Sequence, residues 1–267
     1  MISYPLLKQT VRENYKLLLV IAAVLSIYTI MIIGMYDPNI TEKMEDLLSA
    51  LPAGMLSAFG FSMEEQTLTG FLASYLFGFL MLVFPMLYEI PTAYRMIASK
   101  IEQGSMAYLI GTPNSRKKIA FTLAFYLSVS TAVLMLYVAA LGTVVSSRMF
   151  PGMLRTGIYL DLCTGAFALH FLIGGISFFA ACVGKDMGQV LGIGAGIPVV
   201  SYLIHMLANM EGNLKFLKYL TVFSLFDTKR ILAADRIGYL FMGILAAAGM
   251  LFYVLGIVLF RKRDLSV

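Results

Sequence analysis

From Leu17 to Met35 the chain reads LLLVIAAVLSIYTIMIIGM, without one charged side chain. A helix in water needs a polar face, and this run has none. It matches the ~20 apolar residues that carry a helix through a bilayer core about 30 Å thick. Five more such runs follow, at about Gly70–Tyr88, Ile119–Val145, Gly157–Val183, Gln189–Leu207 and Ile237–Phe260. They are continuously apolar rather than alternating with period two, which favours helices over a barrel. The expected fold class is therefore an all-α polytopic membrane protein with six transmembrane helices. Charged residues make up 13% of the chain, where about 25% is usual in a soluble domain. Residues 1–267 are expected to form a single transmembrane domain.

Charge placement orients the bundle. With the N-terminus inside, twelve Lys and Arg fall on the cytoplasmic side and eight on the outer side. Five acids join the twelve and ten join the eight, leaving +7 inside and −2 outside. The net +5 thus marks a cytoplasmic membrane face, with no nucleic-acid site implied. Both termini are expected in the cytoplasm and the chain in the plasma membrane. Residues 1–16 carry Ile2, Leu6, Leu7 and Val11 among Lys8, Arg12 and Glu13. They suit an interfacial elbow helix or a flexible basic terminus equally well. They lack the short apolar core and small-residue cleavage site of a signal peptide. On the outer side, Asn39 and Glu42 resemble a capping box that starts a short helix through Leu48, ended by Pro52. LKFLKYLTVFSLF, from Leu214, suits an amphipathic helix on the outer leaflet.

Several motifs tempt and fail. GIGAGIP, from Gly192, lacks the strand, helix and spacing of a dinucleotide loop. Gly188, Gly192 and Gly196 instead have the GxxxG spacing of close helix packing, with Pro198 kinking the fifth span. No Walker A is present, since Gly184-Lys185 is followed by Asp186 and lacks the first glycine. The chain is not expected to be an enzyme or to bind a cofactor itself. Glu64-Glu65 is not followed by the arginine of an EExxxR protease motif, because Thr69 holds that position. Cys163 and Cys182 are read as buried, inert thiols, and no cluster suggests a metal. His170, mid-span, is a candidate intramembrane polar site or a packing residue. Glu89 is expected at the inner end of the second span, meeting headgroups or loop arginines.

The cytoplasmic stretch SKIEQGSMAYLIGTPNSRKK, Ser99–Lys118, remains. The second helix should leave the membrane and run to Gln103. Gly104 turns the chain, and Ser105 caps a short helix whose apolar face is Met106, Leu109 and Ile110. Gly111-Thr112-Pro113 stops it, and Arg116-Lys117-Lys118 anchors the third span at anionic headgroups. An apolar face held away from lipid needs a partner.

The pattern Glu102-x-Gly104-Ser105, Leu109, Pro113-x-Ser115-Arg116 resembles the first cytoplasmic loop of type-2 ABC transporter permeases. Phe260-Arg261-Lys262-Arg263-Asp264-Leu265 is similar to their close after the last span, and Leu51-Pro52 with Phe59-Gly60 is a weaker third match. Topology extends the resemblance over the whole chain, the residue motifs over short segments only. The resemblance implies a half-transporter that pairs with a second permease copy, identical or closely related. It implies a separate cytoplasmic ATPase subunit, which holds ATP and Mg²⁺ and docks on the loop at about residues 94–118. Carried over, the coupling residues are Glu102, Gly104, Ser105, Met106 and Leu109. Glu102 also reads as a helix-end charge balancing Lys100. By analogy the export cavity lies between spans two and five of both copies, which nominates Phe77, Phe84, Tyr202 and His205. The expected cargo is amphipathic or hydrophobic, with a peptide favoured over a drug or lipid. The alternatives of other classes are an intramembrane enzyme, which would need facing polar groups within the bilayer, and a non-transporting scaffold.

Overall fold

The computed structural model describes residues 2–37, 67–111, 114–210 and 213–263. Among these there is no strand, and six helices are long and apolar enough to cross a membrane. This is the architecture of a multi-pass membrane protein. The spans are α1 (Tyr4–Met35), α2 (Leu68–Glu102), α4 (Arg116–Met149), α5 (Thr156–Val183), the pair α6 (Met187–Gly194) and α7 (Gly196–Asn209), and α9 (Arg236–Lys262). Between them lie the short helices α3 (Met106–Ile110) and α8 (Thr228–Leu232). All six expected spans are present, and each helix is longer than its apolar run. Thr67 starts α2 by accepting from the Gly70 N–H at 3.1 Å, and Asp186 starts α6 by accepting from Gln189 N–H at 2.8 Å. Pro5 sits in the first turn of α1, where its missing N–H is no loss.

Residues 4–16 do not form a separate elbow. They are the first turns of α1, which runs unbroken to Met35. Leu6, Thr10 and Asn14 are buried, at the spacing of one helix face. The Ser3 N–H donates to Thr122 Oγ1 at 3.0 Å, and Lys100 pairs with Glu13 at 2.8 Å. These contacts tie the start of α1 to α4 and α2.

The central helix is α5, which packs against α9, α4, α2 and α6. Glycine sets its closest contact. A Cβ at Gly249 of α9 would lie 3.0 Å from the Leu172 nitrogen, and one at Gly175 would lie 2.9 Å from the Gly249 carbonyl oxygen. The expected packing glycines behave differently within the chain. A Cβ at Gly192 meets nothing, one at Gly188 reaches only the neighbouring Asp186, and one at Gly196 only the Leu191 carbonyl of α6 in the same span. The close approach of the fifth span is made by Gly194, against Ala180 and Ser177. GxxxG spacing marks a smooth stripe, but here that stripe faces away from α5.

The fifth span breaks at Ala195, three residues before Pro198. Proline has no N–H for the carbonyl four residues back, which is Gly194. Ser177 Oγ of α5 donates to that carbonyl at 2.8 Å. The break is therefore satisfied by a neighbouring helix, as lipid requires. Ser177→Ala is expected to destabilise the fold by about 0.6–1.7 kcal/mol, read from unfolding in mixed micelles. A cost near zero would mean that the carbonyl has another donor.

The amphipathic stretch after the fifth span also departs from expectation. Residues 213–220 form a 3-10 helix with Tyr219 exposed, as a surface segment would. The rest folds inward. Phe223 and Phe226 are buried, Phe226 lies against Gly165 of α5, and Ile231 and Leu232 of α8 are buried. Gly165 leaves the gap that the Phe226 ring fills. The helix expected from Asn39 to Leu48, Pro52, Glu64-Glu65, Leu51-Pro52, Phe59-Gly60, Thr112-Pro113 and Asp264-Leu265 lie outside the described residues.

Candidate functional site

Two places carry chemistry. The first is the end of the bundle where the N-terminus, the α2–α4 loop and the end of α9 meet. A helix as long as α2, 35 residues, rises about 50 Å, some 20 Å more than a bilayer core. Its last turns hold Arg95, Lys100 and Glu102. Gly104 then takes φ +71°, the left-handed region that favours glycine, and reverses the chain into α3.

The residues of this loop divide differently from expectation. Ser105 stands at the start of α3 without capping it; its hydroxyl donates to the Lys100 carbonyl at 3.2 Å and closes the turn. Met106 is buried at 2% exposure and belongs to the core, so it is not offered to a partner. Leu109 and Ile110 are partly buried against that core. The side chain α3 presents outward is Tyr108, 83% exposed. In a five-residue helix one face must pack back on the chain, and Met106 supplies it. Glu102 does not pair with Lys100, which Glu13 holds. Glu102 accepts from the Tyr94 hydroxyl at 2.7 Å and lines a narrow crevice with Lys185 and Arg263. Arg263 in turn donates to the carbonyls of Cys182 and Gly184, at 3.0 and 2.8 Å, and its own carbonyl accepts from Arg116 at 2.7 Å. These bonds join the end of α9 to the end of α5 and the start of α4.

The second place lies inside the bundle. Glu89 is not at a headgroup. It is fully buried on α2, because the helix continues well past the apolar run that was expected to end there. Its Oε2 lies 3.1 Å from His170 Nδ1 of α5, and its Oε1 accepts from Thr131 Oγ1 of α4 at 3.0 Å. The other ring nitrogen, His170 Nε2, lies 2.7 Å from the Met81 carbonyl oxygen of α2. Pro85, four residues after Met81, cannot send that carbonyl an N–H. One network thus joins three spans and covers a proline break. The break follows a π-helical turn at Leu76–Leu80, and a second lies at Tyr94–Ala98. Such turns shift the register of a helix face.

The sequence isolated His170 but missed its partner. The signal was available: Met81, Pro85 and Glu89 recur every four residues, on one face of one helix.

The four nominated cavity residues are not brought together. Tyr202 and His205 both meet Phe223, at ring distances of 5.5 and 6.0 Å. Phe77 is fully buried between Tyr159 and Phe226, and Phe84 stacks on Tyr28 of α1 at 5.8 Å. Cys163 and Cys182 are buried and form no disulfide. No protein-family model matches the chain, and no curated protein matches it.

Proposed function

We propose that the chain is the membrane permease of an ATP-driven exporter of the type-2 ABC class. It works beside a second permease copy in the plasma membrane. The end that bears Tyr108 is cytoplasmic, in keeping with the excess of Lys and Arg there. A separate ATPase subunit, which holds ATP and Mg²⁺, docks on α3. The observation that carries this reading is the long α2 ending in the Gly104 turn and the outward Tyr108. A helix that runs from the bilayer to a docking surface can carry a push from one to the other. The ATPase can move the permease only through contacts that differ between its nucleotide states, and α3 with the Glu102 crevice supplies them. The cargo is amphipathic or hydrophobic, with a peptide ahead of a drug or lipid.

An intramembrane enzyme is the contending reading, and the Glu89–His170 pair is the group it would use. Both side chains are fully buried, and their polar atoms are engaged by Thr131, Met81 and each other. Nothing remains to meet a substrate.

Co-purification of the tagged chain from its native membrane tests the proposal. The expected companion is a soluble subunit with a Walker A motif. Tyr108→Asp should remove it while the permease still accumulates in the membrane. A companion retained in full by Tyr108→Asp would contradict docking on α3.

A further inference from the structure

We propose that Glu89 and His170 form a proton-binding site in the membrane-spanning bundle, which holds one proton and uses it to fasten the proline break of α2 to α5. The argument is one of hydrogen-bond direction. A carbonyl oxygen only accepts, so at 2.7 Å from the Met81 oxygen His170 Nε2 must carry a hydrogen. A neutral imidazole has one N–H, and it is then spent. Nδ1 is left with a lone pair, 3.1 Å from Glu89 Oε2. If the carboxyl were also bare, two lone pairs would face each other where both side chains are fully buried. One proton between them resolves this, either as imidazolium with carboxylate or as imidazole with carboxylic acid. Thr131 does not change the count, because its hydroxyl serves the other oxygen, Oε1, at 3.0 Å.

The proton has a mechanical consequence. Without it, the single N–H of the neutral ring shifts to Nδ1 to meet the carboxylate, and the bare Nε2 can no longer hold the Met81 carbonyl. Loss of one proton therefore unfastens α2 at Pro85, between the π-helical turn at Leu76–Leu80 and the segment that leads to the α2–α4 loop. Among the described residues, the surroundings supply no competing charge. The nearby groups are phenols and hydroxyls: Tyr88 of α2, which donates to Tyr126 of α4 at 3.3 Å; Ser130 of α4, which donates to Leu127; and Tyr253 of α9, whose hydroxyl lies over Gly174. The inference does not depend on the proposed transport function.

The test uses the full chain in lipid nanodiscs with ¹⁵N-labelled histidine. The chain has two histidines, and His205→Gln identifies the second set of signals. The expected wild-type His170 has a protonated Nε2 and an Nδ1 that carries or shares a proton. In Glu89→Gln the amide N–H takes the place of the shared proton. Nε2 should stay protonated, Nδ1 should become a pure acceptor, and the melting temperature should hold. Glu89→Leu removes the partner of Nδ1 and should lower it by about 5 °C. A wild-type ring with Nδ1–H and a bare Nε2 would overturn the proposal. So would an equal loss of melting temperature in Glu89→Gln and Glu89→Leu.

Discussion

Replacing His170 by leucine should cost the fold about 3–5 kcal/mol, the loss usual when one member of a buried charged or proton-sharing pair is removed. The variant leaves Glu89 with Oε2 facing hydrocarbon and leaves the Met81 carbonyl without its donor. An ordinary interhelical hydrogen bond in a bilayer is worth only about 0.6 kcal/mol, so magnitude separates the two descriptions. The second arm is His170→Leu with Glu89→Leu. Removing both polar groups avoids the stranded carboxyl, and the double variant should recover at least ~1 kcal/mol over the sum of the single losses. Unfolding in mixed micelles reads all three. Costs that simply add would show that the pair is not energetically coupled.

Gly249→Val should be nearly as damaging, for a steric reason. Even a Cβ there would lie 2.7 Å from Phe171 Cδ1 and 3.0 Å from the Leu172 nitrogen. The ring can turn away, but the backbone of α5 cannot. The helices must separate where α9 packs most closely on the central helix, and overpacking of this kind costs upwards of about 3 kcal/mol when it cannot relax. Gly192→Ala is the control. Its Cβ meets nothing, and alanine is favoured over glycine in a helix by about 0.5–1 kcal/mol. That change should be neutral or mildly stabilising. The expectation fails if Gly249→Val melts with the wild type.

These two sites show what a single sequence reveals of such a chain. The spans were legible because lipid demands long apolar runs, and the composition offers no other way to bury them. The Gly104 turn and short α3 were legible because glycine and a polarity break punctuate the chain locally. Which glycines touch a neighbour was not legible. Spacing identifies a smooth face, but rotation of the helix decides where it points, so spacing singled out Gly188, Gly192 and Gly196 and passed over Gly175 and Gly249. The Glu89–His170 contact was hidden for a related reason. Glu89 sits where the apolar run ends, and hydropathy cannot tell a helix that stops there from one that continues to Glu102. Met106 was misassigned because a five-residue helix packs the face nearest its own span, a choice made by tertiary contact.

The central claim is that α3 is the docking element for an ATP-hydrolysing partner. It is tested most directly by cross-linking in intact native membranes. Tyr108→Cys places a thiol on the most outward position of α3, and the two native cysteines are buried. Tyr219→Cys places one at the opposite end, at a residue even more exposed than Tyr108. A thiol-directed cross-linker should capture a Walker A ATPase from Tyr108→Cys and none from Tyr219→Cys. Capture of that subunit from Tyr219→Cys, or from neither variant, would contradict the account.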